Sequence, residues 1–147
     1  MSEVSQDTDM TMLSAEIPFE ECWHLLEEAS LGRLAVSTSF GVDVFPINFT
    51  VHDRALYFRT SPGAKLIDIS HYPVVALEID GVHTGMHWSV VVRGEAKRVT
   101  SDAEIVASGV QALHTATPTA KWNYVRILAT AVTGRRFSVL DQLSEPL

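Results

Sequence analysis

Most of this chain reads as short extended segments separated by turns, and only three stretches read as helices. Residues 44–51 set the pattern. Phe45, Ile47, Phe49 and Val51 fall on one face of an extended segment, and Pro46, Asn48 and Thr50 on the other. Proline cannot donate to a strand ladder, so Pro46 marks an edge, a bulge or a ligand-facing position. His52-Asp53-Arg54 reads as a turn, and Ala55 to Arg59 as the returning strand. Further strands are predicted at Leu34–Ser37, Val74–Ile79 and Trp88–Val99, with turns at Ser39-Phe40-Gly41 and Asp80-Gly81. Val125–Val132 and Arg136–Val139 are the predicted closing strands, linked near Gly134.

The helical stretches are short. Over residues 18–29, Phe19, Cys22, Trp23 and Leu26 recur at helical spacing, with Pro18 in the first turn and Gly32 at the exit. Trp23 then belongs to the core and His24 to the surface. Residues 63–70 form a second short helix. Ser101-Asp102-Ala103-Glu104 is a capping box that opens a third, to about residue 114, before a loop around Pro118. Six or seven hairpin-linked strands with three helices predict a mainly β fold, a small antiparallel barrel with peripheral helices. Residues 13–140 make one domain, with polar tails at 1–12 and 141–147.

Charge narrows the function. The 147 residues carry a net charge of −7, whereas a general nucleic-acid binder is usually basic, so no nucleic-acid partner is expected. No run of eighteen apolar residues exists, and the polar, acidic start lacks a signal pattern, so no membrane partner is expected either. The single cysteine, Cys22, cannot form an intrachain disulfide, which fits a reducing cytoplasm.

The chemistry concentrates at Arg59-Thr60-Ser61-Pro62-Gly63-Ala64-Lys65-Leu66, where a strand ends and a helix begins. Free N–H groups and the positive dipole end of a helix suit a phosphate; Arg59 and Lys65 add charge, and Thr60 and Ser61 add hydroxyl donors. Ser61-Pro62 also reads as an ordinary N-cap followed by a first-turn proline, and the two readings are compatible. Dinucleotide-fold, P-loop and nucleophile-elbow motifs are absent. His83 and His87 have no cysteine partner nearby and read as exposed loop histidines, not metal ligands. Asp102 and Glu104 read as partners of a helix dipole, not as catalytic acids.

Taken in order, Leu31-Gly32-Arg33-Leu34-Ala35-Val36, Pro46-Ile47-Asn48-Phe49, Tyr57-Phe58-Arg59-Thr60, Gly63-Ala64-Lys65-Leu66 and Trp88-Ser89-Val90-Val91-Val92-Arg93-Gly94 resemble the pyridoxamine 5′-phosphate oxidase-like flavin-binding split-barrel family. The resemblance runs from about residue 13 to residue 139. It implies a six-stranded antiparallel split β-barrel and a homodimer, with FMN or a deazaflavin coenzyme at the dimer interface. Pro46, Ile47 and Asn48 would lie along the ring. Arg59, Thr60, Ser61 and Lys65 would take the phosphate, with Leu66 beside them. Trp88 and Ser89 would flank the cofactor, and Trp122 and Arg126 would reach across from the partner.

The basic and histidine residues that would hold a vitamin B6 phosphate are not found. The resemblance therefore implies a flavin- or deazaflavin-dependent oxidoreductase acting on a small molecule. The alternative is a non-catalytic protein that binds or stores a flavin or haem. In an oxidoreductase of this kind the cofactor carries the hydride chemistry, and the protein positions and tunes it. Val90, Val92 and the segment near Trp122 are expected to contribute to the dimer contact.

Overall fold

The computed structural model describes residues 14–113 and 123–138. Both tails, the loop around Pro118 and Trp122 lie outside the described residues. Eight strands form one antiparallel sheet: β1 (Ser14–Glu16), β2 (Leu31–Thr38), β3 (Gly41–Asn48), β4 (Thr50–His52), β5 (Ala55–Thr60), β6 (Val74–His83), β7 (Met86–Val99) and β8 (Asn123–Ser138). Their order is β3-β2-β6-β7-β8-β5-β4, with β1 pairing the far part of β8. Helix α1 (Phe19–Glu28) follows β1, α2 (Ala64–His71) joins β5 to β6, and α3 (Asp102–Ser108) follows β7. The expected class, a curled antiparallel sheet with peripheral helices, is what forms.

Three local features separate the eight observed strands from the expected ones, two adding a strand and one removing it. Phe49 divides the expected 44–51 strand into β3 and β4, its N–H donating to the Ser30 carbonyl. The short β1 was not foreseen. The two closing strands are one: β8 passes straight through Gly134, which pairs with Val90. A Cβ at Gly134 would lie 2.7 Å from Cys22 Sγ and 3.0 Å from Ile17 Cβ. This glycine therefore admits α1 against the sheet and does not turn the chain. The Asp80-Gly81 turn is likewise displaced. Both residues are in β6, and the hairpin turns at Thr84-Gly85, both with positive φ. Gly81 lets the Trp88 ring cross it, since a Cβ there would meet that ring at 2.8 Å.

The inner face of the sheet is the core. Leu34, Val36, Leu56, Phe58, Leu77, Ile79, Val90, Val92, Val125 and Ile127 are almost fully buried around Cys22, Trp23 and Leu26 of α1 and Ile69 of α2. Val90 and Val92 are wholly buried, so they cannot contribute to a dimer contact as expected. A second, smaller core lies on the outer face, where Ile105 of α3 and Val110 meet Ala55, Tyr57 and Val99. Here Ser101 caps α3 as expected, its Oγ accepting from Glu104 N at 3.3 Å. The helix stops at Ser108, short of residue 114, because Gly109 takes the left-handed conformation that ends helices.

Glu104 ties this outer layer down. Its Oε2 accepts from Tyr57 Oη at 2.7 Å and from Arg126 Nη1 at 2.8 Å. The Tyr57 hydrogen bond and then the Arg126 guanidinium hold its carboxyl below the ordinary range, while burial pushes the Tyr57 phenol up. A lowered native pKa contributes stability that is present above the unfolded value and lost as pH falls through the native one. The stability advantage of the wild type over Glu104→Gln should thus be full at neutral pH. It should shrink as thermal melts are taken down through and below pH 4.5, the group's ordinary value. Gly134→Ala should destabilise by about 1–3 kcal/mol through overpacking. Adding Cys22→Ala should recover part of that loss in denaturant titrations, because it removes the nearest clashing atom.

Candidate functional site

The residues expected to hold a cofactor gather in three places. The first is the open edge of the sheet. Strand β3 pairs only with β2 and is the first strand in the order, so the outer edge of the segment bearing Pro46, Ile47 and Asn48 faces no partner strand. Ile47 turns inward and packs against the core beside Phe45, while Pro46 is paired with Arg33 and Asn48 with Leu31. Helix α2 begins alongside. Lys65 in its first turn holds its ammonium 3.9 Å from the centre of the Phe45 ring, and Leu66 packs against the core. Lys65 and the ring-bearing strand are thus brought together, through Phe45, a residue whose alternation marked it only as core.

The start of α2 differs from the expected cap. Gly63, not Ser61, is the N-cap residue; it makes no side-chain cap bond, and no acidic residue stands in the first turn. Ser61 lies two residues before it, and Thr60 Oγ1 donates to the Ser61 carbonyl at 3.3 Å. The first N–H groups of the helix therefore lack a side-chain acceptor from the cap, and a cation lies beside them.

The second place is the outer layer. Arg59 lies on the same face of β5 as Tyr57 and donates to the Gln111 carbonyl at 3.0 Å. Arg126, paired with Tyr57 across the strands, donates to Glu104. Both cations are engaged with the α3 segment of their own chain, on the face opposite the Lys65–Phe45 contact. Trp122 lies outside the described residues.

The third place is the start of β7. Trp88 turns inward over Gly81 and Ser89 outward toward Asp80 and Arg135 in register. Trp88 and Pro46 line one cleft of about 610 Å³, roofed by Leu25, Glu28 and Ala29 at the end of α1. Its rim carries a charge cluster that sequence reading left unassigned. Arg33 donates to Glu78 at 2.8 Å and to Asp80 at 2.7 Å. Burial and then the neighbouring Asp80 raise the Glu78 carboxyl, while the two acids, Glu78 first, hold Arg33 more firmly protonated. Residues 45 places apart in the chain meet here, which neither periodicity nor local motif can reveal.

His83 and His87 are not loop residues. They flank the β6–β7 turn in register positions, and His87 stacks on Phe137 at 5.3 Å. Among the described residues, no group of three His, Cys, Asp or Glu side chains could hold a metal. No described helix is long and apolar enough to cross a membrane.

Comparison with known proteins gives the same fold. A Corynebacterium glutamicum structure, a candidate pyridoxamine 5′-phosphate oxidase, is 38% identical, with 86% of this chain and 99% of that chain covered and a TM-score of 0.75. The FAD-binding protein from Mycobacterium smegmatis is 37% identical over 84% of this chain and 98% of its own, with a TM-score of 0.72. A FAD-binding protein from Mesorhizobium loti is 28% identical over 84% of this chain and 96% of its own, with a TM-score of 0.76. An uncharacterized Mycobacterium tuberculosis protein is 36% identical over 87 residues, 59% of this chain and 79% of that protein. Residues 18–136 match the profile described as pyridoxamine 5′-phosphate oxidase, and with the split-barrel sheet this makes the chain a member of the pyridoxamine 5′-phosphate oxidase-like family.

Proposed function

We propose that this protein binds a phosphate-bearing flavin, FMN by preference and a deazaflavin coenzyme as the alternative, and acts as a flavin-dependent oxidoreductase on a small molecule. The observation that carries the reading is the meeting of Lys65 and the uncapped start of α2 with the free edge of β3. A flavin has a flat apolar ring with polar edges and an anionic tail. A strand at the open edge of a sheet suits the first, and a cation at a helix start suits the second. The FAD-binding relatives support it, because FAD contains the FMN unit. In this reading Pro46, Ile47 and Asn48 border the ring, and Trp88 lies beside it with Ser89 as a polar neighbour. Thr60, Ser61 and Lys65 take the phosphate. Arg59 and Arg126 join only if they keep or exchange their bonds to Gln111 and Glu104.

The three groups of residues do not line one cavity in a single chain, and a second copy would complete the site. The outer face of β3, β2 and β6 is suited to this. Leu31, Val42, Val44 and Val74 are 59%, 68%, 63% and 62% exposed there, around the Arg33–Glu78–Asp80 cluster. Apolar side chains clustered on one sheet face are what a self-complementary dimer contact buries. Val44→Lys should yield monomers at micromolar protein in sedimentation and should weaken flavin binding. A wild-type monomer with cofactor bound would refute the dimer.

Lys65→Ala should weaken FMN binding by about tenfold to a hundredfold, the loss of one charge-assisted hydrogen bond of about 1.5–3 kcal/mol. The fold should lose only the exposed cation–π contact with Phe45, about 0.5–1 kcal/mol. Riboflavin, which has no phosphate, should be affected far less; equal losses for both ligands would remove Lys65 from the phosphate site. Trp88→Phe should leave the fold intact and change the flavin absorbance or its dissociation constant, and an unchanged titration would make Trp88 a packing residue. Mass spectrometry of the small molecule released from native protein tests the whole reading. Flavin is expected, and haem alone would overturn it.

A further inference from the structure

A groove of about 700 Å³ crosses the outer face of β7 and β8, beside the junction of β1 and α1. By register, Ser89 and Val91 of β7 and Thr133 and Arg135 of β8 present the same face, with Ser89 opposite Arg135 and Val91 opposite Thr133. Phe19, 55% exposed, stands at the end of the groove, and Glu16 borders it across from Arg135. The volume suits a ligand of one to three fused rings.

Arg135 differs in its electrostatics from the arginines that lock the fold. Arg33, Arg54, Arg126 and Arg136 each contact a carboxylate. Arg135 donates only to Ser14 Oγ, at 3.3 Å, and makes no ion pair among the described residues, although Glu16 is its cross-strand neighbour. The Ser89 and Thr133 hydroxyls also make no hydrogen bond among the described residues. One planar guanidinium, two hydroxyls and an apolar floor ending in a phenyl ring are complementary to a flat apolar body that carries one carboxylate. Glu16 on the rim disfavours a second negative charge on the ligand.

We infer that this groove binds a planar aromatic monocarboxylate, with Arg135 as its carboxylate anchor and Val91 and Phe19 as its apolar contacts. Its role as the substrate site rests on the flavin reading, since Ser89 borders both the groove and the expected cofactor position. The binding itself does not need the flavin.

The test uses 2-naphthoate and its neutral analogue 2-naphthamide, titrated calorimetrically into the full-length protein, with and without FMN. Naphthoate should bind at least about tenfold more tightly than naphthamide, the worth of one charge-assisted pair. Arg135→Gln should erase that difference, Arg135→Lys should restore part of it, and Phe19→Ala should weaken both ligands. Circular dichroism confirms that each variant is folded. Equal affinity for the two probes, no binding of either, or an unchanged preference in folded Arg135→Gln would overturn the inference. Naphthoate selectivity without FMN binding would uphold the groove and remove the flavin reading. FMN binding without naphthoate binding would do the reverse.

Discussion

Strand β8 is the element on which the rest of the architecture depends. Along its sixteen residues it pairs with β7 on one edge, and on the other with β5 in its first half and β1 in its last. A strand of this length, hydrogen-bonded to three others, has to curl if both halves are to face one core. The curl is taken up at one irregularity. Between Arg93 and Gly94 the register shifts, so Thr130 is the extra residue, and its Oγ1 donates to the Arg93 carbonyl. Gly94 is required there because a Cβ would lie 2.3 Å from the Leu128 carbonyl oxygen. Before the bulge β8 turns Val125 and Ile127 inward; beyond it, Val132 and Gly134. The inner face thus stays apolar along the whole strand while its direction changes.

That geometry explains what the sequence made legible. Period-two alternation reports which face of a strand is buried, and the core residues of β2, β6 and β7 follow it, whereas β5 is buried on both faces because α3 covers its outer one. The periodicity of α1 likewise predicted Cys22, Trp23 and Leu26 correctly as buried, but Phe19 of the same stripe lies in the first turn and is 55% exposed. Glycines misled because they were read as turns. Gly81 and Gly134 lie inside strands, where the missing Cβ makes room for Trp88 and for α1. A glycine that admits a neighbour and a glycine that turns the chain look alike in one dimension. The true β6–β7 turn was hidden for a related reason: Thr84 takes a positive φ that its residue type does not advertise.

The site was legible where it is local and illegible where it is not. Thr60 to Leu66 is continuous in sequence, and its strand-to-helix passage forms within two residues of the expected place. The Lys65–Phe45 contact and the Arg33–Glu78–Asp80 cluster join separate strands and helices, and only sheet order creates them. Arg59 shows the opposite effect. Strand parity sends it to the outer layer, toward Gln111, while Thr60 next to it faces the other way. Two adjacent residues of one motif therefore serve opposite sides of the sheet, and the motif alone gives no warning of it.

The proposed anion site lies in an acidic protein, of net charge −7, and that needs an explanation. Screening supplies it. At physiological ionic strength charges more than about 8 Å apart in solvent are largely hidden from one another, so the field at a site is set by its nearest groups. Several acids are spent locally: Glu21 on Arg136, Glu20 on Arg54, Glu104 on Arg126, and Glu78 with Asp80 on Arg33. The first three pairs tie α1 and α3 to the sheet, the Arg33 cluster joins β2 to β6, and all cancel much of their own charge at short range. Lys65 rests on the face of an aromatic ring, where its charge is attracted but not cancelled. The start of α2 adds a dipole of the same sign and no acid in its first turn. What would favour an anion at the proposed site is how the cations are engaged within a few ångströms, and at α2 the nearest contact leaves the charge in place.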